Sequence, residues 1–239
     1  MRELWTAGLG LVPYSDALDL QRAVARARIA GIVAQDVLLL VQHPPVVTLG
    51  RTAKAGHVTA APELLRARGV EMFEIERGGD VTFHGPGQLV GYPIVNLDRH
   101  RRDLHWYLRQ VEEALVRGLA ALGVAAERNP GLTGVWTRGR KLASIGVHAR
   151  EWVTWHGFAL NVSTDLSFFD LIVPCGIDGV VMTSLERELG SAPEMPAVEA
   201  VIADAFADVF ALEAVPVTAD APRALVAAEA TGVPLGVTH

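Results

Sequence analysis

Short apolar runs, each cut off by glycine or proline, alternate along this chain with a few stretches of helical period. That alternation predicts a single α/β or α+β domain, a mixed β-sheet flanked by helices. Leu4–Val12 reads as an opening strand stopped by Pro13. Ser15 is placed to cap a helix running to about Ala30, with Gly31 as its stop. Val37–Val41 is too short an apolar run for an ordinary helix and reads as a buried strand. Val46–Leu49 follows as another, then Pro62–Arg68 as a short helix, then Val70–Glu76 as a strand. Leu89–Leu97 is a strand in which Gly91 and Pro93 predict an edge or a bend. Apolar residues at 104, 107, 108, 111, 115, 119 and 122 line one face of a helix over Leu104–Leu122, ended by Gly123. Leu132–Trp136, Leu142–His148 and Phe158–Val162 read as strands. Thr183 and Glu186 have the spacing of a capping box for a helix ending near Gly190, and Pro196–Leu212 is a further amphipathic helix. From Glu213 the composition shifts to Ala, Val, Pro and Thr, so residues 213–239 are set apart from a catalytic or binding domain over 1–212.

The 239 residues, half of them hydrophobic by type, can bury a core without covalent staples. A single cysteine excludes an internal disulfide and any multi-cysteine zinc or iron–sulfur site, a usage that suits a reducing cytosol. No apolar run approaches the roughly 18–20 residues of a membrane span. Arg2 and Glu3 ahead of a short, Gly-interrupted stretch do not make a signal peptide. With 21 Lys and Arg against 27 Asp and Glu, the chain carries a formal charge of −6, without the basic surplus of a bulk nucleic-acid binder. A cytoplasmic enzyme or binding domain is expected.

Three features carry candidate chemistry. Cys175 sits in Val173-Pro174-Cys175-Gly176, a turn that can present a thiol, yet a lone cysteine is as often a small buried hydrophobe. The local sequence leaves nucleophile and inert core thiol equally open. A free thiol is only a few per cent ionised at neutral pH, so a nucleophilic one needs a cationic neighbour. Lys141 is the candidate, one of two lysines in an arginine-rich chain, because an ammonium can exchange a proton and a guanidinium cannot. Its local setting, Arg138-Gly139-Arg140-Lys141, favours a solvated turn. The stretch from Arg77 through Gly78 and Gly79 to Gln88 is the densest glycine motif, suited to laying backbone against a ligand, but its spacing fits neither a Walker loop nor a dinucleotide fingerprint. The eight histidines include no His-Glu-x-x-His pair, so no metal is expected. Ser144 lacks the glycine of a nucleophile elbow. Arg99, Arg101 and Arg102 form a basic patch before a helix, a solvated face or a landing site for an acidic partner.

In this order the pieces resemble the lipoyl(octanoyl) transferases. The match lies in Arg77-Gly-Gly-x-x-Thr82-x-His84-Gly-Pro-Gly-Gln88, Asn129-Pro130-Gly131, Gly139-Arg-Lys141-Leu-Ala-Ser-Ile-Gly146, His156-Gly157-Phe-Ala159-Leu-Asn161, and Pro174-Cys175-Gly176 followed by Met182-Thr183-Ser184. The resemblance runs from about Leu4 to Leu212. It implies the fold of biotin and lipoate protein ligases, with a smaller C-terminal subdomain, and no cofactor. It implies transfer of an octanoyl group from octanoyl-acyl carrier protein to a lysine of lipoyl domains, those of 2-oxoacid dehydrogenases and the glycine-cleavage H protein. By the same resemblance Cys175 carries the acyl thioester and Lys141 activates it; acid–base chemistry adds the expectation that Lys141 later takes the proton of the attacking amine. The acyl site falls to Arg77, Gly78, Gly79, Asp80, Val81, Thr82, Phe83 and His84, with Ser144, Ile145 and Gly146, and Gly157, Phe158 and Ala159. Backbone N–H groups near Gly176 or at Gly78–Gly79 are expected to face the carbonyl oxygen.

Three rivals remain at this level. An ATP-dependent lipoate–protein ligase shares the fold, but typically has a longer Arg-Arg-x-Ser-Gly-Gly-Gly motif and needs no cysteine. A non-catalytic acyl-carrier-binding module would have no use for a Lys141–Cys175 pair. A cysteine hydrolase would release octanoate without an acceptor.

Overall fold

The computed structural model describes residues 2–177 and 179–224. In chain order its elements are β1 (Arg2–Leu11), α1 (Tyr14–Ile29), β2 (Asp36–Gln42), β3 (Val46–Leu49), α2 (Pro62–Ala67), β4 (Glu71–Glu74), β5 (Val81–His84), β6 (Gln88–Ile94), α3 (Leu104–Ala121), β7 (Val135–Thr137), β8 (Arg140–Arg150), β9 (Val153–Asn161), α4 (Leu185–Leu189), α5 (Met195–Phe210) and β10 (Leu212–Pro216). A seven-stranded mixed sheet runs β10-β1-β2-β6-β9-β8-β7, and a three-stranded sheet runs β4-β3-β5.

The unbroken apolar run of β2 follows from burial on both faces. Leu38 and Leu40 point into a core shared with α3 and α5, whereas Val37, Leu39 and Val41 pack with Val24 and Ala17 of α1 on the opposite face. Helix α3 turns Tyr107, Val111, Leu115 and Leu119 inward, and the Asp103 side chain caps it by accepting from Trp106 N–H at 3.0 Å. The smaller sheet closes over its own cluster, Val47, Leu65, Val81, Phe83, Leu166 and Phe169.

Four sequence expectations are corrected. Helix α1 starts at Tyr14, with Pro13 as its N-cap, so Ser15 lies inside the first turn and bonds the Asp16 carboxylate. The cap of α4 is Ser184, whose Oγ accepts from Arg187 N–H at 3.3 Å; the Thr183 hydroxyl is taken by Glu188. Strand β6 is central, not an edge. Its ladder to β9 ends at Gly91↔Phe158, so Pro93 lies beyond the last pair on that side, and the Thr154 hydroxyl donates to the Pro93 carbonyl at 2.9 Å. The segment set apart after residue 212 begins inside β10, which pairs in parallel with β1 at the sheet edge, and residues 225–239 lie outside the described residues.

Candidate active site

The segment that presents Cys175 is laced to its surroundings by main-chain bonds. Val173 N–H donates to the His57 carbonyl at 2.7 Å, and Thr59 and Ala60 both donate to the Leu171 carbonyl. Pro174–Gly176 then makes a tight turn in which Cys175 adopts φ 58°, ψ 15°. A non-glycine residue in this left-handed region stores about 1–3 kcal/mol of strain, held by the surrounding bonds. The turn lifts the sulfur out of the backbone plane and leaves it partly exposed.

Lys141 meets it there. Its Nζ lies 3.0 Å from Cys175 Sγ, and Ser144 Oγ lies 3.8 Å from the same sulfur. Lys141 is not the solvated turn lysine its neighbours suggest, being only 1% exposed. It is the second residue of β8, and the chain beyond the cysteine turn lies along it: Lys141 N–H donates to Val181 O at 2.8 Å, and Thr183 N–H donates to Lys141 O at 2.9 Å. The ammonium also stands 4.9 Å over the Trp136 ring. Next door, one guanidinium nitrogen of Arg140 donates to both oxygens of the buried Glu188 carboxylate, each at 2.9 Å, fixing α4 against β8.

A cavity of about 250 Å3 extends from Cys175 between the two sheets. Its floor is the large sheet, where Ser144, Ala159 and Val90 form one row across three strands, and Gly146 and Gly157 the next. Its roof is the glycine motif and β5. Arg77 pins that roof by donating from NH2 to the Thr48 carbonyl (2.7 Å) and hydroxyl (2.8 Å), while Gly78 N–H donates to Val147 O at 2.8 Å.

Polar groups cluster on the wall formed by Tyr14, His84 and Tyr92. Burial pushes both tyrosines above the usual phenol range, so their hydroxyls remain donors. Burial holds His43 down to about 4 and His84 to about 3, so both rings are neutral at pH 7. His43 Nδ1–H donates to Val12 O, and its Nε2 accepts from Tyr92 OH, each at 2.7 Å. His84 Nδ1–H donates to Gln88 Oε1 at 2.8 Å. Gln88 donates on to Asn161 Oδ1, and Asn161 to Thr183 O, ending at the segment that covers Lys141.

Most of the residues singled out from sequence converge here. Arg77, Gly79, Asp80, Val81, Thr82 and His84 border the cavity, as do Ser144, Ile145, Gly146, Gly157, Phe158, Ala159 and Cys175. Two do not. Strand alternation turns Phe83 away into the smaller core, where it stacks on Phe168 at 4.6 Å, and Gly78 serves as the bond to β8. Of the N–H groups expected at the acyl oxygen, Gly176 donates to Val173 O at 3.0 Å and Gly78 to Val147 O. Nor does the basic patch reach the cavity, since Arg101 pairs with Asp103 and Arg102 with Asp98. Tyr14, Tyr92 and Ile177, which carry no local signal, also line the cavity. So do Gly131 and His156, which lie in motifs quoted above. One further pair packs against Gly176, next to the nucleophile: His57 Nδ1–H donates to Asp80 Oδ2 at 2.7 Å, and Asp80 Oδ1 accepts from Val81 N–H at 2.7 Å. Among the described residues, no helix is long and apolar enough to cross a membrane.

Solved structures with this architecture include lipoate-protein ligases. One is a lipoate-protein ligase A crystallised with ATP, at TM-score 0.75 and 17% identity, covering 96% of this chain and 94% of that one. Another is a bipartite ligase from Thermoplasma acidophilum, at TM-score 0.74 and 17% identity, covering 96% and 92%. At such identity the likeness shows the fold. Residues 13–207 match the family described as the lipoyl protein ligase A/B catalytic domain, and the chain belongs to that family. Within it the chain stands with the octanoyltransferases. It is 52% identical over 202 residues to the octanoyltransferase of Rubrobacter xylanophilus, covering 84% of this chain and 90% of the relative. It is 49% identical over 207 residues to that of Gloeobacter violaceus, covering 87% and 90%. The protein is an acyltransferase.

Proposed function

We propose that this enzyme takes an octanoyl group from the thioester of octanoyl-acyl carrier protein and delivers it to a lysine of a lipoyl domain, through a covalent thioester on Cys175. The observation that carries this reading is the 3.0 Å approach of Lys141 Nζ to Cys175 Sγ at the edge of the cavity. A cationic side chain within hydrogen-bond distance of the sulfur is the partner that a nucleophilic cysteine requires. The thiolate attacks the carrier thioester. The new C–S bond forms on Cys175, the carrier's C–S bond breaks, and the departing thiolate takes a proton from Lys141. Exchange of one thioester for another is nearly isoenergetic, so the protein need only position and ionise the sulfur. Aminolysis to an amide then runs downhill. With Gly176 and Gly78 N–H occupied, we assign the Ser144 hydroxyl, 3.8 Å from Sγ, as a donor to the carbonyl oxygen as it develops charge. The acyl chain lies along Val90, Ile145 and Ala159. A chain whose one thiol must stay reduced belongs in the cytoplasm.

The test is transfer from octanoyl-carrier protein to a lipoyl domain without ATP, by the wild-type chain and by Cys175→Ser. Transfer by the wild type and at least a hundredfold loss in the variant are expected. Full transfer by Cys175→Ser removes the covalent route, and transfer only from free octanoate with ATP makes the enzyme a ligase.

A further inference from the structure

We propose that His57, oriented by Asp80, is the base that takes the proton of the incoming lysine in the second half-reaction, leaving Lys141 to hold the departing Cys175 thiolate. This rests on the covalent reading above and divides its two proton transfers between two groups. The thioester on Cys175 must be met by an amine arriving from solvent. Lys141 is poorly placed to receive it, being enclosed at 1% exposure behind the sulfur, with Trp136 against its ammonium. His57 packs against Gly176 of the nucleophile's turn, half-buried with its side chain 21% exposed. A β carbon built on Gly176 would lie 3.0 Å from His57 Cε1 and 2.6 Å from Asp80 Oδ2, so glycine follows the cysteine where the imidazole–carboxylate pair packs against the chain.

The pair has the build of an oriented base. Asp80 Oδ2 accepts Nδ1–H at 2.7 Å and Oδ1 accepts Val81 N–H at 2.7 Å, which locks the carboxylate and places the lone pair of the neutral ring on Nε2. His57 is tied to the cysteine segment through its own carbonyl, which accepts from Val173 N–H at 2.7 Å, and Val58 bridges Ile172. The ring and the sulfur therefore keep a common frame. A free lysine amine has an ordinary pKa near 10.4 and arrives at neutral pH almost wholly protonated, so aminolysis needs a nearby acceptor. As the C–N bond forms and the C–S bond breaks, the electron pair returns to Cys175 Sγ beside Lys141. The incoming ammonium gives up two protons, one before attack and one as the C–N bond forms; each passes to His57 Nε2 and on to water, and Lys141, which gave its proton to the carrier thiolate, takes one back from water.

The two half-reactions separate the roles. His57→Gln and His57→Asn would be loaded from octanoyl-carrier protein, and adduct formation followed by intact mass. The isolated acyl-enzyme would then be mixed with a lipoyl domain, or with hydroxylamine, a weakly basic nucleophile that is neutral at pH 7. The proposal expects loading within about threefold of wild type, discharge to hydroxylamine unchanged, and discharge to the lipoyl-domain lysine slowed about 10²-fold, within the usual reach of general base catalysis. Wild-type discharge to lysine in both variants overturns it. Equal slowing with both nucleophiles, or slowed loading, also overturns it by making His57 structural. If no adduct forms on the wild-type enzyme, it is the covalent reading that fails, which this comparison shows at its first step.

Discussion

Gly157 crosses Gly91 so closely that a β carbon on Gly157 would lie 2.2 Å from the Gly91 carbonyl oxygen. The Phe158 ring fills the space over Gly91, where a β carbon would come 2.1 Å from its Cζ. This glycine crossing lets β6 and β9 approach beside the cavity, and it keeps side chains off the acyl path. Gly91→Ala is expected to destabilise the fold by about 1–3 kcal/mol through overpacking, read as a lower urea midpoint. Phe158→Leu should recover part of the loss in the double variant, whereas additive losses would contradict the packing account.

Lys141→Met removes the charge beside the thiol while keeping an apolar stem of similar length. Alkylation of Cys175 by iodoacetamide at pH 7 should slow at least tenfold and octanoyl transfer about 10²-fold. Lys141→Arg should not restore transfer. A guanidinium does not give up its proton, and Gly134 packs so near that a β carbon there would meet Lys141 Cε at 3.0 Å. Rescue by arginine would show that charge alone suffices.

Gly176 and Gly69 share a φ of +66°, but a β carbon would meet other atoms within 4 Å at Gly176 and none at Gly69. Gly69→Ala should lose about 1 kcal/mol of stability with transfer intact. Gly176→Ala should lose transfer at least tenfold, because its methyl displaces Asp80 and the cysteine turn. Matched activities for the two variants would mean that the crowding behind Cys175 has no role.

The neutral histidines make the fold acid-sensitive. His43 and His84 have folded-state values of about 4 and about 3 against an ordinary value near 6.5. Below about pH 6.5 the unfolded chain takes up protons that the folded chain refuses, so stability is full above that pH and falls as pH drops toward 4. Each ring should weaken the fold by roughly 2 kcal/mol between pH 7 and pH 5. Urea midpoints at the two values should converge for His43→Gln and His84→Gln relative to wild type. An unchanged gap would place the acid sensitivity elsewhere.

Much of this was legible in the chain. Periodicity found α3 and the doubly buried β2, and the run from Arg77 to His84 led to the cavity roof. What was not legible depends on contacts between distant segments. Arg138-Gly139-Arg140 is a turn, as it reads, but Lys141 is covered by residues 181–183 returning along β8, which nothing near 141 announces. Pro93 signals an edge in isolation and is accommodated in the sheet centre only because β9 stops pairing with β6 at Phe158. Tyr14, at the start of a helix, and His57, in a loop, reach the site through packing set by other strands. Thr183 has the spacing of a cap, yet Glu188 claims its hydroxyl because that carboxylate also holds Arg140.

The most direct measurement is the intact mass of the enzyme after incubation with octanoyl-carrier protein and no acceptor, followed by peptide mapping. A gain of one octanoyl group on Cys175, discharged by adding a lipoyl domain and absent in Cys175→Ala, is the expected result. An unmodified enzyme that still transfers the octanoyl group to the lipoyl domain would contradict the account.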